Sequence, residues 1–166
     1  MTGVSTLPTV EQARSLPLWK ETVVGEDAID ENGHMNITVY FRDAAFAPWD
    51  RLGELGLAQT YIDDRRKSMF TVEHRVKYLG ELRLGEPYAV HFGIAARTDK
   101  ALHGMSFIVD TARDRISCTM EMVWLHVSME SRRTEPFPDD VRDTLDAQIA
   151  LNPWLAEVAT GLSIAG

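Results

Sequence analysis

Ile37-Thr38-Val39-Tyr40-Phe41-Arg42-Asp43-Ala44-Ala45-Phe46-Ala47-Pro48-Trp49-Asp50-Arg51-Leu52 is the stretch that decides the fold. Ile37, Tyr40, Phe41, Ala44, Ala45, Pro48, Trp49 and Leu52 recur at the i, i+3, i+4, i+7 and i+8 spacing of one helical face. Thr38, Arg42, Asp43, Asp50, Arg51 and Glu54 take the other side. Asn36 can cap the start, and Gly53 or Gly56 can end the helix. Pro48 removes one helical hydrogen bond and predicts a kink. Val39 and Phe46 are apolar but off the stripe, a spare contact surface for a partner subunit or ligand. A stripe this wide and aromatic needs a broad apolar surface to cover it.

Outward from the helix the period changes to two. Phe70, Val72, His74, Val76 and Tyr78 alternate with Thr71, Glu73, Arg75 and Lys77, which predicts a strand. Residues 88–96, 102–110 and 116–127 repeat the pattern, separated by turns near 98–100 and 111–114, and the last two suit a long hairpin. Residues 18–25 are a further strand candidate, and 139–151 a short helix after Pro136 and Pro138. Strands joined by short turns imply an antiparallel sheet, hence α+β, with the sheet curved around the long helix. The division expected is an arm over 1–17, loosely held because of Pro8 and Pro17, a domain over 18–138, and a helix and tail over 139–166.

Chemistry concentrates just before the helix, in Asp30-Glu31-Asn32-Gly33-His34-Met35-Asn36-Ile37-Thr38-Val39-Tyr40. Asp at i with Gly at i+3 is a common turn signature, and on spacing alone a plain turn is the better reading of Asp30 and Gly33. Asn36 is most simply an N-cap. An acid facing free helix amides could also attack a carbonyl and hold the oxyanion that results.

This Asp-x-x-Gly-His-x-Asn-x-x-x-Tyr pattern resembles the active-site turn of hotdog-fold acyl-CoA thioesterases of the 4-hydroxybenzoyl-CoA thioesterase-like group. The resemblance spans roughly residues 18–138 and implies a hotdog fold, about five antiparallel strands around one central helix. It also implies that Asp30 is the catalytic carboxylate, acting as nucleophile or as general base toward water, and that the Ile37 main-chain N–H polarises the thioester carbonyl. His34 would orient Asp30 or water, with a solvated loop residue as the alternative. Gly33 would admit the acyl group, and Tyr40 stands where the group has a tyrosine, with packing its simpler role. The resemblance implies no metal and no cofactor, an acyl-CoA substrate, and self-association as a homodimer or tetramer of dimers. Two departures stand out: Ala28 occupies the place of a frequent second acid, and only Lys100 of Arg97-Thr98-Asp99-Lys100 matches a phosphate-gripping basic run.

A hotdog hydratase or dehydratase is the first alternative, but those carry an Asp-x-Asn-Pro-x-His pattern, and here the histidine falls one position early with Gly33 in place of the proline. A non-catalytic acyl-CoA-binding module is the second, weakened by retention of the acid. The Gly33-His34-Met35-Asn36 form of the turn and the ending Arg132-Arg133 with Pro136-Phe137-Pro138 look similar to thioesterases acting on betainyl-CoA in carnitine breakdown. Such a substrate would want an aromatic cage around its quaternary ammonium, for which Phe46, Trp49 and Tyr61 are the candidates.

Composition sets the outer limits. The 166 residues carry a formal net charge of -8, with 45% apolar and 25% charged side chains. Such a balance fits one ordinary globular domain and argues against nucleic acid as a partner. The single cysteine, Cys118, excludes an intrachain disulfide and, in its alternating apolar segment, is expected to be a buried, inert thiol. The four strand histidines form no close ligand pairs. No basic leader followed by an apolar run and no membrane-spanning stretch is apparent, so a cytoplasmic protein is expected.

Overall fold

The computed structural model describes residues 7–164. Its strands are β1 (Leu18–Val23), β2 (Lys67–Tyr78), β3 (Pro87–Arg97), β4 (Ala101–Asp110) and β5 (Arg115–Ser128). They form one antiparallel sheet in the order β1-β3-β4-β5-β2. The helices are α1 (Val10–Ser15), α2 (Ile37–Glu54), α3 (Gln59–Arg65), α4 (Asp139–Leu151) and α5 (Trp154–Val158). The sheet curves around α2, so the expected α+β hotdog arrangement is the observed one. Among the described residues no helix is long and apolar enough to cross a membrane.

Alternation along the strands sorts side chains onto two faces. Val90, Phe92, Ile108, Met120, Met122 and Trp124 point inward and meet Tyr40, Ala44, Ala47 and Leu52 of α2, with Leu145 of α4 closing the same core. Met105, Phe107 and Val109 point outward and are covered by Ala13, Leu16, Leu155 and Val158. Gly104 is what lets the inner layer close: a Cβ there would stand 2.7 Å from the Phe92 ring. That ring packs edge-on against Trp124 at 6.1 Å.

Three local expectations are corrected. The buried face of α2 is rotated: Val39 and Asp43 are buried, while Ile37, Phe41 and Trp49 from the predicted stripe stay exposed. Sheet curvature, which a one-dimensional period cannot encode, sets where the helix rests. In β2 a bulge between Thr71 and Glu73 switches the alternation, so His74, Val76 and Tyr78 share the inner face but Phe70 does not. The described part of the N-terminal arm is not loose, since Thr9 caps α1 in a reciprocal capping box and Ala13 is buried. Residues 1–6 of that arm lie outside the described residues.

Pro48 lies inside α2. Helix α2 runs through it without interruption. Proline cannot donate to the Ala44 carbonyl one turn back, and the buried Ser106 hydroxyl of β4 donates to that carbonyl instead, at 2.7 Å. The sheet supplies the bond that the helix lacks.

Candidate active site

The segment between β1 and α2 is held at both ends. Ile29 and Met35 form a bridge, Asp30 N–H donates to His34 O, and Gly33 N–H donates to Asp30 O, the last two at 3.0 Å each. Gly33 sits at φ +79, the left-handed region that favours glycine, with open space where a Cβ would go. Met35 N–H donates to Leu82 O at 2.7 Å, and Asn36 N–H to Ala28 O at 2.8 Å. These bonds fix the loop that carries Asp30 against the start of α2.

The Asp30 side chain is 9% exposed. Its Oδ1 accepts the Asn32 N–H at 2.9 Å, and among the described residues its Oδ2 has no protein partner. His34 Nδ1 lies 3.8 Å from Oδ1, beyond direct hydrogen bonding. Asn36 is the N-cap of α2, accepting the Thr38 N–H at 2.8 Å and the Thr38 hydroxyl at 2.6 Å. Ile37 is the first helical residue, and among the described residues nothing accepts its N–H. A carboxylate oxygen without a protein partner thus shares one helix start with an unpaired main-chain donor.

Tyr40 is buried and ties this corner to the segment after β2. Its hydroxyl donates to Gly80 O at 3.1 Å and accepts the Leu82 N–H at 2.9 Å. Burial pushes its phenol up to about 12, so it stays a neutral donor across ordinary pH. Since Leu82 O holds Met35, Tyr40 braces the Asp30 turn from one residue away.

Asp30, Gly33, His34, Asn36, Ile37 and Tyr40 are therefore brought together. Phe46, Trp49, Tyr61 and Lys100 lie elsewhere in the chain. Trp49 stands twelve residues beyond Ile37, about 18 Å along the helix axis, over a cavity of about 100 Å³ lined also by Met69, Thr71 and Trp124. Phe46 is exposed on the same helix. Tyr61, on α3, is buried with its hydroxyl 2.8 Å from His126 Nε2. Lys100 belongs to the β3–β4 turn, beside an outer-face cavity of about 720 Å³ that also touches Val123 and Leu125. In the basic runs Arg65-Arg66-Lys67 and Arg132-Arg133, Arg65 pairs with Asp140 at 2.5 Å, Lys67 pairs with Glu135, and Arg132 lies over the Phe70 ring at 5.8 Å. Cys118 is buried as expected, and burial pushes its thiol up to about 12.

Two features escaped the sequence reading. Asp43 is 1% exposed and accepts from Lys20 Nζ and Tyr88 OH at 2.7 Å each and from Arg42 Nε at 3.0 Å. Burial first, then the bond to Asp43, drives the Tyr88 phenol upward. The rotated stripe hid this cluster. The second feature is a group of rings on α2 and the β2 edge. Phe41 meets His74 edge-on at 5.1 Å, and Tyr40 meets Tyr78 edge-on at 5.7 Å. Alternation along β2 already set His74 and Tyr78 on one face, but which helix residues they meet is a long-range contact that no local period carries.

The sequence model of the thioesterase-like superfamily matches residues 23–145. The chain is 26% identical over 127 residues to the betainyl-CoA thioesterase of Pseudomonas aeruginosa, covering 76% of this chain and 80% of that one. It is 27% identical over 121 residues to the L-carnitine dehydrogenase/betainyl-CoA thioesterase of Rhizobium meliloti, covering 73% of this chain but only 24% of that longer protein. Among solved structures, a Staphylococcus aureus protein in complex with CoA superposes with a TM-score of 0.77 at 21% identity, covering 90% of this chain and 97% of that one.

Proposed function

Because this chain belongs to the thioesterase-like superfamily, we propose that it hydrolyses an acyl-CoA thioester to a carboxylic acid and free CoA at the start of α2. The observation that carries this reading is a hydrogen-bonded loop that leads from Asp30, one of whose carboxylate oxygens has no partner among the described residues, into the helix start, where among the same residues nothing accepts the Ile37 N–H. The thioester carbonyl oxygen would accept from Ile37 N–H, and negative charge developing there would be stabilised by that donor and the helix N-terminus. Two routes share this geometry. In one, Asp30 attacks the carbonyl carbon, the C–S bond breaks to release the CoA thiolate, and water then cleaves the mixed anhydride. In the other, Asp30 takes a proton from water as its oxygen attacks, and the same C–S bond breaks.

Relatives named as betainyl-CoA thioesterases support a small acyl group bearing a quaternary ammonium. Self-association at the free edge of β2 is part of the proposal: Phe70, Val72 and Leu79 leave apolar surface along that edge. A reducing compartment, the cytoplasm, suits the single buried thiol.

The test is Asp30→Asn. Asparagine keeps the side-chain acceptor for Asn32 N–H, so the turn should persist while the nucleophile or base is lost. Thiol release from a panel of acyl-CoAs should fall by at least about a hundredfold, with an unchanged circular dichroism spectrum. Full activity in the folded variant would remove Asp30 from the mechanism.

A further inference from the structure

We infer that Phe41 and Tyr78, with His74 packed behind Phe41, form the acyl subsite and receive a quaternary ammonium one methylene from the thioester carbonyl. The inference rests on hydrolysis taking place at Asp30 and Ile37. In such an acyl group the cationic nitrogen is held about 2.5 Å from the carbonyl carbon by two covalent bonds. Any ring that attracts it must lie within about 6 Å of it. That requirement confines the cage to the first turns of α2. Phe46 and Trp49 of the same protomer stand about 14 and 18 Å beyond Ile37 along the axis, too far to serve.

Phe41 is one turn from Ile37, about 6 Å along the axis, and helical side chains lean back toward the N-terminus. Its ring therefore covers the turn that presents the Ile37 amide. His74 fixes that ring edge-on at 5.1 Å and 87°. Tyr78 sits edge-on to Tyr40, in the first turn of α2, at 5.7 Å and 80°. Phe41 is 40% and Tyr78 48% exposed, so both keep uncovered aromatic surface.

Charge decides between a cation and a neutral group of the same shape. A helix N-terminus by itself disfavours a cation, so the site must compensate. Asp30 supplies a carboxylate at the same corner, and the two rings supply their negative faces. Among the described residues no Lys or Arg belongs to this ridge, where α2 contributes Ile37, Phe41 and Ala45 and β2 contributes His74, Val76 and Tyr78. Arg42 is held by Asp43, and Arg115, which lies against Gly80, is held by Asp110. Burial lowers the affinity of His74 for a proton, which keeps it neutral near pH 7.

The experiment compares trimethylglycyl-CoA with 3,3-dimethylbutanoyl-CoA, its uncharged carbon isostere, on the full chain. The parent should prefer the cationic thioester. Phe41→Leu and Tyr78→Leu should each lower kcat/KM for it about tenfold and for the isostere less than about threefold. Equal losses on both substrates, a parent with no preference, or a selective loss confined to Trp49→Leu would each overturn the cage. Turnover of the isostere as fast as the cation would leave hydrolysis at Asp30 standing. Absence of turnover on these and every other acyl-CoA would remove both.

Discussion

Ile37→Pro isolates one atom of the proposed mechanism, the main-chain hydrogen at the first residue of α2. Proline is favoured at this position of a helix because the missing N–H has no intrahelical acceptor, and among the described residues the Ile37 N–H has none. The preceding residue must be extended, which Asn36 already is at φ -61 and ψ 141. The isoleucine side chain is 58% exposed, so little burial is lost. Stability should therefore change by no more than about 1 kcal/mol, a shift of roughly 2–4 °C in Tm for a chain of this size. Catalysis should respond far more. Removing one oxyanion donor lowers kcat by about a hundredfold to a thousandfold, or about 2.7–4 kcal/mol of transition-state stabilisation. KM should move little, because the donor acts on charge that develops only as the carbonyl is attacked. The assay is thiol release under saturating acyl-CoA beside a thermal melt, with Ile37→Ala as the control that trims the side chain and keeps the N–H. A folded proline variant with kcat near that of the parent would refute the oxyanion role of this amide.

Tyr40→Phe should lose about 2 kcal/mol of stability, because the buried Leu82 N–H and the Gly80 carbonyl both lose their partner. Its kcat should fall more than its KM rises, and a melt indistinguishable from the parent would contradict the brace. Burial raises Tyr40 and Tyr61 from 10.0 to about 12, so the fold holds these protons more tightly than the unfolded chain does. Their contribution is complete below pH 10 and is lost between pH 10 and 12, by up to about 1.4 kcal/mol per pH unit for each tyrosine. Urea midpoints that stay flat over that window would show that neither phenol is sequestered. Light scattering at micromolar concentration should give at least twice the mass of one chain, and an active monomer would end the edge-pairing proposal.

The long-range plan of the fold was legible where the period was clean. The strands expected at 102–110 and 116–127 are β4 and β5 to within one residue at each end, with Ile116, Cys118, Met120 and Met122 giving the cleanest alternation. The predicted 139–151 helix is α4. Where a short element relies on neighbours, the sequence was silent. Helix α3 has seven residues, two of them the adjacent Asp63 and Asp64, and shows no repeat long enough to register. α5 is held by Leu155 and Val158 packing under the sheet. The Asp30 turn could be read from Asp30 and Gly33 because the chemistry is local in the chain. The contacts of Phe41 with His74 and of Tyr40 with Tyr78 could not, since each joins residues more than thirty positions apart.

The bond from Ser106 to the Ala44 carbonyl has a consequence for the order of assembly. A peptide spanning α2 alone must break its ladder at Pro48, and short helices are marginal in water even with an intact ladder. During synthesis, residue 106 emerges 58 positions after Pro48, several seconds later at ordinary elongation rates of about 5–20 residues per second. Until then the two halves of α2 are joined by a weakened hinge, and docking of β4 supplies the bond that the ladder lacks at Pro48. The continuity of the central helix at Pro48 is therefore a late, tertiary acquisition. Ser106→Ala should leave the early turn containing Asp30 able to form, yet slow the step at which the sheet closes over the second half of the helix.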